Sequence, residues 1–208
     1  MAQIKALLLD FGGVLYDIMP EKTVRAFAAL ARPNSKFTRL KSYDFTTIPF
    51  LRLYEKGEIS TDEFRANVAD LLGLTAPDAT ETDAAWNAIL LEPKANIDRV
   101  IDELADDYPI YLLSNTNEIH HRHFAPECEV FFRAFRKCYF SYLLKMIKPD
   151  REIFEFVAGE IGLKPEEILF ADDSLSNIET AKSLGFVTFH IGEAGKTIYY
   201  LSDFLHTV

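Results

Sequence analysis

The sequence is poor in cysteine, and its first apolar run is short. The two cysteines, Cys128 and Cys138, have neither the spacing of a metal site nor the pattern of a disulfide-stapled secreted domain, so we expect reduced thiols. The apolar run that ends at Asp10 is too brief for the core of a signal peptide or for a membrane span. These absences predict a cytoplasmic protein that has no membrane partner.

Positive charge is also scarce. The chain carries 22 Lys and Arg against 32 Asp and Glu, which gives a formal net charge of −10 and a pI near 5.0. Because binding to a nucleic-acid backbone depends on clusters of Lys and Arg, this composition excludes a general nucleic-acid binder. An anionic substrate would need a local cationic group or a metal ion. The apolar fraction of 49% supports a substantial core, in one large domain or in a domain with an insertion.

The periodicity changes at Pro93. Between Pro20 and Pro93 the pattern predicts only helices, and Ser60 with Glu63 predicts a capping box at the start of one of them. The expected helices cover residues 21–31, 48–56, 61–72 and 80–91. After Pro93, strands and helices alternate, which is typical of βαβ units in a parallel sheet. The expected strands cover residues 110–113, 137–141, 168–171 and 187–191, and the expected helices cover residues 97–107, 150–161, 176–184 and 198–205.

Together with a first strand before Asp10, this alternation predicts an α/β fold. The core is expected to be a Rossmann-like parallel sheet of about five strands flanked by helices, interrupted early by a helical-bundle cap. We assign residues 1–16 and 94–208 to the core and residues 17–93 to the cap.

The first strand ends in an acid. The run Ala6–Leu9 is continuously apolar, which is typical of a strand covered on both faces, and parallel sheets bind ligands at the carboxyl ends of their strands. A carboxylate buried there at Asp10 is costly unless a cation or hydrogen-bond donors compensate it. Gly12 and Gly13 would let backbone amides approach a ligand closely. This segment is either a site of chemistry or an ordinary turn.

Three further segments carry polar groups where strands end or helices begin. They are Ser114-Asn115-Thr116-Asn117, Lys148 before Pro149, and the pair Asp172-Asp173. Taken singly, each is explained by helix capping or by a surface charge. Taken together with Asp10, they supply a carboxylate, a hydroxyl with amides, an ammonium and a carboxylate pair. Phosphoryl transfer with a divalent cation requires this combination.

These segments resemble the four motifs of the haloacid dehalogenase superfamily, in order and across nearly the whole chain. "LLLDFGGVL" resembles the first motif, "LLSNTN" the second, "IKPDREIF" the third and "LFADDSLSNIETAKSLG" the fourth. The predicted helical insertion lies where one subclass of this family has a helical cap, and "YEKGEISTDEF" is similar to cap sequences of bacterial members.

The resemblance implies a Mg²⁺-dependent phosphohydrolase that cleaves a small phosphorylated metabolite, such as a sugar phosphate, through an aspartyl-phosphate intermediate. Asp10 would be the nucleophile and Lys148 would offset negative charge, while Ser114, Asn115 and Lys148 would bind the phosphoryl group. Mg²⁺ would be held by four groups: Asp10, the Gly12 carbonyl, Asp172 and Asp173. Which of the two last residues binds the metal directly stays open. We expect a monomer or a homodimer.

Two positions depart from the family pattern. Phosphatases of the family usually carry a second Asp as general acid and base where this chain has Gly12, although a branch that includes a sugar-1-phosphate phosphatase also has Gly there. Either a cap residue or water supplies the proton, or only good leaving groups are used, or activity has decayed. Related sequences often have Gly at the position of Lys145, which could therefore compete with Lys148 for the cationic role.

Two other functions fit parts of the pattern. A metal-free 2-haloacid dehalogenase would agree with Gly12 but would leave Asp172 and Asp173 facing Asp10 without a cation. A catalytically weak phosphometabolite-binding domain would agree with the missing acid. Several polar cap residues are expected to lie mostly on solvated helix faces, namely Arg25, Arg39, Tyr43, Arg52, Tyr54 and Glu55. A surface helix is expected for His120, His121 and His123.

Overall fold

A five-stranded parallel sheet forms the centre of the computed structural model, which describes residues 3–39 and 47–207. Its strands lie in the order β5-β4-β1-β6-β7, and all neighbouring pairs are parallel. The strands are β1 (Ala6–Leu9), β4 (Ile110–Ser114), β5 (Lys137–Phe140), β6 (Ile168–Asp172) and β7 (Val187–His190). This architecture confirms the predicted α/β class.

Helices cover both faces of the sheet. Leu7 and Leu9 of β1 face a cluster that includes Ile101 and Phe124, whereas Leu8 faces a second cluster that includes Phe154. A strand buried on both sides needs apolar residues at every position, which explains the continuous run in β1. The helices are α5 (Ile97–Asp107) and α6 (Glu118–Phe132) on one face, α7 (Ser141–Leu144) after β5, α8 (Arg151–Ile161) and α9 (Leu175–Ser183) on the other face, and α10 (Leu201–Leu205) near the end of the described chain. No helix in this described part is long and apolar enough to cross a membrane.

The described part of the segment between β1 and α5 is mainly helical and has an aromatic core. Its helices are α1 (Pro20–Leu30), α2 (Pro49–Glu55), α3 (Thr61–Leu72) and α4 (Ala79–Asn87). Phe27, Phe64 and Trp86 are buried together in this core. Ser60 Oγ accepts from the Glu63 backbone N–H, and Glu63 accepts from the Ser60 backbone N–H, so the predicted capping box is present.

A short antiparallel ribbon joins the two parts and corrects the expectation that residues 20–93 contain no strand. It pairs β2 (Tyr16–Ile18) with β3 (Leu90–Pro93), so the helix expected at 80–91 ends at Asn87. Backbone bonds from Met19 N to Ile89 O and from Lys94 N to Leu15 O extend the contact. The two segments that connect the sheet to the helical part therefore run side by side and form backbone hydrogen bonds with each other. The predicted domain limits at 16/17 and 93/94 fall in this ribbon.

His120 lies at the junction between the two parts. Its ring stacks on the Trp86 indole at 4.7 Å between centroids, with Nε2 3.2 Å from the Trp86 carbonyl oxygen and Nδ1 3.1 Å from Asn117 Nδ2. The helix expected around the three histidines exists as α6, but the surface position expected for His120 is wrong, because this side chain is buried. The carbonyl and the amide nitrogen at its two ring nitrogens favour the neutral tautomer that carries its proton on Nε2.

Acid should destabilise the fold through His120. Burial lowers the pKa of His120 to about 4, from an ordinary value of 6.5. Between these values the unfolded chain binds a proton at His120 that the folded chain does not, so the contribution of His120 to the free energy of unfolding falls as the pH drops from 7 to 4, by up to about 3 kcal/mol. We expect His120→Gln to remove this part of the pH dependence in urea unfolding at pH 7, 6 and 5. His123→Gln, on the exposed side of the same helix, is the control and should keep it. An unchanged slope in His120→Gln would contradict the prediction.

Candidate active site

A buried lysine bridges two buried carboxylates at the carboxyl ends of the central strands. Lys148 Nζ donates to Asp10 Oδ1 and to Asp172 Oδ2, both at 2.6 Å. Asp10 follows β1 and Asp172 ends β6, and the register pairs Leu9 with Ala171, so the two acids emerge side by side. The Lys148 side chain is 1% exposed, so this ammonium is withdrawn from water and compensated by carboxylates.

Asp172 is oriented by two further donors. Its Oδ1 accepts from the Ser174 backbone N–H at 2.8 Å, and Asn177 Nδ2 lies 3.0 Å from both carboxylate oxygens. Asn177 is buried in the first turns of α9. The sequence alone assigns Asn177 no role, because an Asn near a helix start is ordinarily a solvated or capping residue.

Asp10, Asp172 and Asp173 form a group with the character of a metal site. One carboxylate oxygen from each residue lies within 4.8 Å of the others. Oxygen donors of this kind suit a hard divalent cation such as Mg²⁺. The three carboxylates face a single ammonium, so two negative charges stay uncompensated by Lys148. The donor set and this excess charge fit a divalent cation.

The electrostatics of the group agree with that excess charge. Burial, together with the carboxylates of Asp172 and Asp173, raises the pKa of Asp10 to about 7 against the lowering effect of Lys148. Burial also raises the pKa of Asp173, as does Asp172. Desolvation lowers the pKa of Lys148, but its two carboxylate partners outweigh this effect and the net shift is upward, so the lysine stays charged.

The glycine turn after Asp10 lies against Asp173. Gly13 has a φ of +76°, and a Cβ placed on it would lie 2.1 Å from Asp173 Oδ2. Its N–H donates to the Tyr16 carbonyl at 2.8 Å, which closes the turn. A Cβ on Gly12 would meet only ordinary contacts at 3.4 Å or more, and Gly12 lies outside the left-handed region. The close approach therefore requires glycine at position 13 and tolerates a side chain at position 12.

The second motif reaches the site through Ser114 and Asn115. Ser114 ends β4 and is buried, and the Oγ contact to the Asn115 carbonyl is long, at 3.4 Å. The Asn115 side chain has a role that the sequence does not predict, because it binds the backbone of Lys148. Its Nδ2 donates to the Lys148 carbonyl and its Oδ1 accepts from the Lys148 N–H, both at 2.9 Å. Asn115 thus holds the backbone of the lysine that carries the buried charge.

Lys148, and not Lys145, contacts the carboxylates. Lys145 is exposed and follows α7 with a φ of +57°. Glycine adopts this left-handed conformation without strain, which explains why related sequences often have Gly at this position. Lys145 therefore replaces a glycine that would cap the end of α7, and it has no contact with the carboxylates.

A cavity of about 260 Å³ lies between the helical part and the sheet. The core contributes Asn115 and Ile147, each adjacent in sequence to a predicted site residue. The helical part contributes Thr23, Arg52 and Glu55 among others. A larger recess of about 580 Å³ lies elsewhere. Neither lining includes a residue of the carboxylate group, but the smaller cavity adjoins the site through Asn115, whose side chain binds the Lys148 backbone.

The polar residues considered for the helical part separate into three groups. Arg25, Arg39 and Arg52 are exposed, as expected. Tyr54 is buried and its hydroxyl accepts from the Ile119 N–H, while Glu55 is half-buried at the cavity, so these two residues are exceptions to the mostly solvated faces expected. Tyr43 lies outside the described residues.

Comparison with known proteins places this geometry in a family. The sequence profile of the haloacid dehalogenase-like hydrolases matches residues 4–185. A D-ribitol-5-phosphate phosphatase of Bacteroides thetaiotaomicron is 39% identical, over 89% of this chain and 91% of the relative.

Two solved structures also resemble the chain. A haloacid dehalogenase family enzyme from Bacteroides thetaiotaomicron, solved with magnesium and inorganic phosphate, superposes with a TM-score of 0.81 at 33% identity, over 95% of this chain and 98% of that one. An L-2-haloacid dehalogenase of Xanthobacter autotrophicus has a TM-score of 0.62 at 20% identity, over 91% of this chain and 78% of that one, which shows a shared fold alone. The chain therefore belongs to the haloacid dehalogenase-like hydrolase family.

Proposed function

We propose that the protein, a Mg²⁺-dependent phosphohydrolase of this family, acts through Asp10 on the phosphate ester of a short sugar or sugar alcohol. The observation that carries the proposal is the buried contact of Lys148 with Asp10 and Asp172, next to the third carboxylate of Asp173. A nucleophilic carboxylate, a fixed ammonium and an oxygen-rich cation site are the groups that phosphoryl transfer needs.

Asp10 is the nucleophile in this proposal. One of its carboxylate oxygens attacks phosphorus, the bond from phosphorus to the leaving alcohol oxygen breaks, and an aspartyl phosphate forms. Water then attacks the same phosphorus, the bond to Asp10 breaks, and phosphate leaves. The covalent intermediate divides one difficult displacement into two easier ones.

The neighbouring residues orient the phosphoryl group and compensate its negative charge. Lys148 offsets the negative charge of Asp10 and of the phosphoryl group, and Asn115 fixes its backbone. The Ser114 hydroxyl and nearby main-chain amides orient the phosphoryl oxygens. Asn115 contributes to phosphate binding through its main chain. The Gly12 carbonyl and the three carboxylates would hold Mg²⁺, which would supply positive charge to offset that of the transferred group.

The cavity supports a polyhydroxylated substrate. Thr23, Arg52 and Glu55 offer polar groups at its wall. Asn115 belongs both to this wall and to residues 114–117, which we call the phosphate loop. The relative that acts on D-ribitol-5-phosphate covers nearly the whole chain, which supports the phosphate ester of a five-carbon polyol as the first candidate.

The three carboxylates disfavour the metal-free dehalogenase alternative. Without a cation, Asp172 and Asp173 help to raise the pKa of Asp10 to about 7, so part of this carboxylate would be protonated near neutral pH and unable to attack. The binding-domain alternative depends on the missing acid at position 12 alone.

We also propose that residues 17–93 form a helical cap over the cavity. The aromatic core of this segment is separate from the two apolar clusters of the sheet, and the cavity is lined by residues of both parts. The unpaired thiols of Cys128 and Cys138 support a cytoplasmic enzyme. A monomer or a homodimer stays a prediction.

A screen of phosphate esters tests the function. We expect phosphate release from sugar and polyol phosphates in the presence of Mg²⁺, with five-carbon polyol phosphates among the best, and a loss of about 10²-fold or more when a chelator removes the cation. Phosphate release from no ester would contradict the proposal. Chelator-insensitive halide release from a 2-haloacid would favour the dehalogenase instead.

The glycine turn offers a sharper test of the cation site. Gly13→Ala should displace the Asp173 carboxylate, because the new Cβ would occupy its place and the left-handed φ disfavours alanine. We expect Mg²⁺ affinity to fall by about 10–100-fold in titration calorimetry. Gly12→Ala is the matched control: it keeps the main-chain carbonyl, meets only ordinary contacts and should bind Mg²⁺ within about twofold of the wild type. Equal affinities in both variants would argue against the assigned site.

A further inference from the structure

The proposed phosphatase reaction lacks a proton donor at the position where the family usually has one. A sugar or polyol alkoxide is a poor leaving group and needs a proton as its bond to phosphorus breaks. Gly12 has no side chain to supply it. Lys148 is committed to two carboxylates, so the donor must come from another part of the site.

Glu55 is fixed next to the phosphate loop. It is the last residue of α2, and its carbonyl accepts from Ser141 Oγ at 2.6 Å. The same Ser141 oxygen accepts from the Thr116 N–H at 2.9 Å, two residues after Ser114. A Cβ on Gly57 would lie 2.1 Å from the Tyr142 carbonyl, so the chain just after α2 packs tightly on α7 of the core. The backbone of Glu55 is thus held against the core.

Glu55 lines the cavity that the substrate would fill. Asn115 and Ile147, the neighbours of Ser114 and Lys148, line the same cavity. Arg52 and Glu55 are the charged residues among the described residues that line it, and Arg52 donates twice to Asp150 at 2.8 Å. Burial raises the pKa of Glu55 to about 7, although Arg52 lowers it. A carboxyl group with this property can both give and take a proton near neutral pH.

We propose that Glu55 is the general acid and base of the reaction, in place of the missing acid at position 12; this inference rests on the proposed phosphatase function. In the first step the Glu55 carboxyl group gives its proton to the leaving alcohol oxygen as the bond to phosphorus breaks. In the second step the Glu55 carboxylate takes a proton from the water that attacks the phosphorylated Asp10, and phosphate leaves. Glu55 is then protonated again, so the cycle closes without another reactant.

Glu55→Gln tests this role with two substrates in rapid-mixing kinetics. The first is ribitol 5-phosphate, whose alcohol needs a proton to leave, and the second is p-nitrophenyl phosphate, whose phenolate leaves without one. We expect the variant to lose about 10²–10⁴-fold in turnover of the polyol ester. With the aryl ester it should keep a rapid burst of one nitrophenolate per active site, followed by slow turnover because the second step lacks its base. Glu55→Asp should restore part of the polyol activity.

Control variants distinguish a proton-transfer role of Glu55 from a purely structural one. Glu58→Gln changes an exposed carboxylate three residues away that pairs with Lys56, and it should leave both substrates unaffected. Loss of the aryl burst in Glu55→Gln to the same extent as the polyol activity would show a packing or binding role and would overturn the proposal. Unchanged polyol turnover would overturn it as well. If the wild type released phosphate from neither ester, the proposed function itself would fail.

Discussion

Replacing Asp10 with asparagine is expected to lower Mg²⁺-dependent phosphate release by about 10⁴-fold or more. The asparagine amide has nearly the same shape as the carboxylate, but its oxygen cannot attack phosphorus to form an acyl phosphate. Asp172 remains as a partner of Lys148, so the buried ammonium keeps one ion pair at 2.6 Å and the fold should persist. The loss is therefore expected in chemistry and not in folding.

Phosphate release and intact-protein mass measure this result. The wild type, quenched in acid during turnover, should carry one phosphoryl group, and Asp10→Asn should carry none. Asp17→Asn is a suitable control, because Asp17 is a half-exposed carboxylate paired with Lys94 on the ribbon, and its loss should change turnover by no more than about twofold. Retention of most of the activity in Asp10→Asn would show that another group attacks phosphorus.

Replacing Lys148 with methionine is expected to damage both stability and catalysis. Methionine keeps much of the volume but leaves Asp10 and Asp172 buried without their cation. Removing one partner of a buried ion pair costs about 3–5 kcal/mol, so the free energy of unfolding without Mg²⁺ should fall by about that amount. Turnover should fall by about 10²–10³-fold, because the phosphoryl group loses a fixed positive charge.

Lys145→Met separates the two lysines. Lys145 is exposed at the end of α7, so its replacement should change the free energy of unfolding by less than about 0.5 kcal/mol and leave turnover nearly unchanged. Urea unfolding and phosphate release of both variants, with and without Mg²⁺, measure the contrast. Loss of activity in Lys145→Met alone would reverse the assignment of the cationic residue.

Several elements follow from local sequence signals. Helix α5 has the predicted bounds, and α3 begins at the predicted capping box, because periodicity and capping act over a few residues. Strand β1 follows from its continuous apolar run. The sequence pattern does not predict the strand Leu90–Pro93, because its partner lies more than 70 residues earlier in the chain and its two leucines also fit a helix.

The sequence by itself determined the fold class, the family and the identity of the charged groups, because strand-end motifs are contiguous and their residue types carry the chemistry. Only the tertiary structure decided how those groups are used. It brings Lys148 between Asp10 and Asp172, pairs the Asn115 side chain with the lysine backbone, and places half-buried Glu55 at the cavity. These relations join residues that are distant in sequence, and burial and hydrogen bonding between them arise only when the strands and the helical segment pack together.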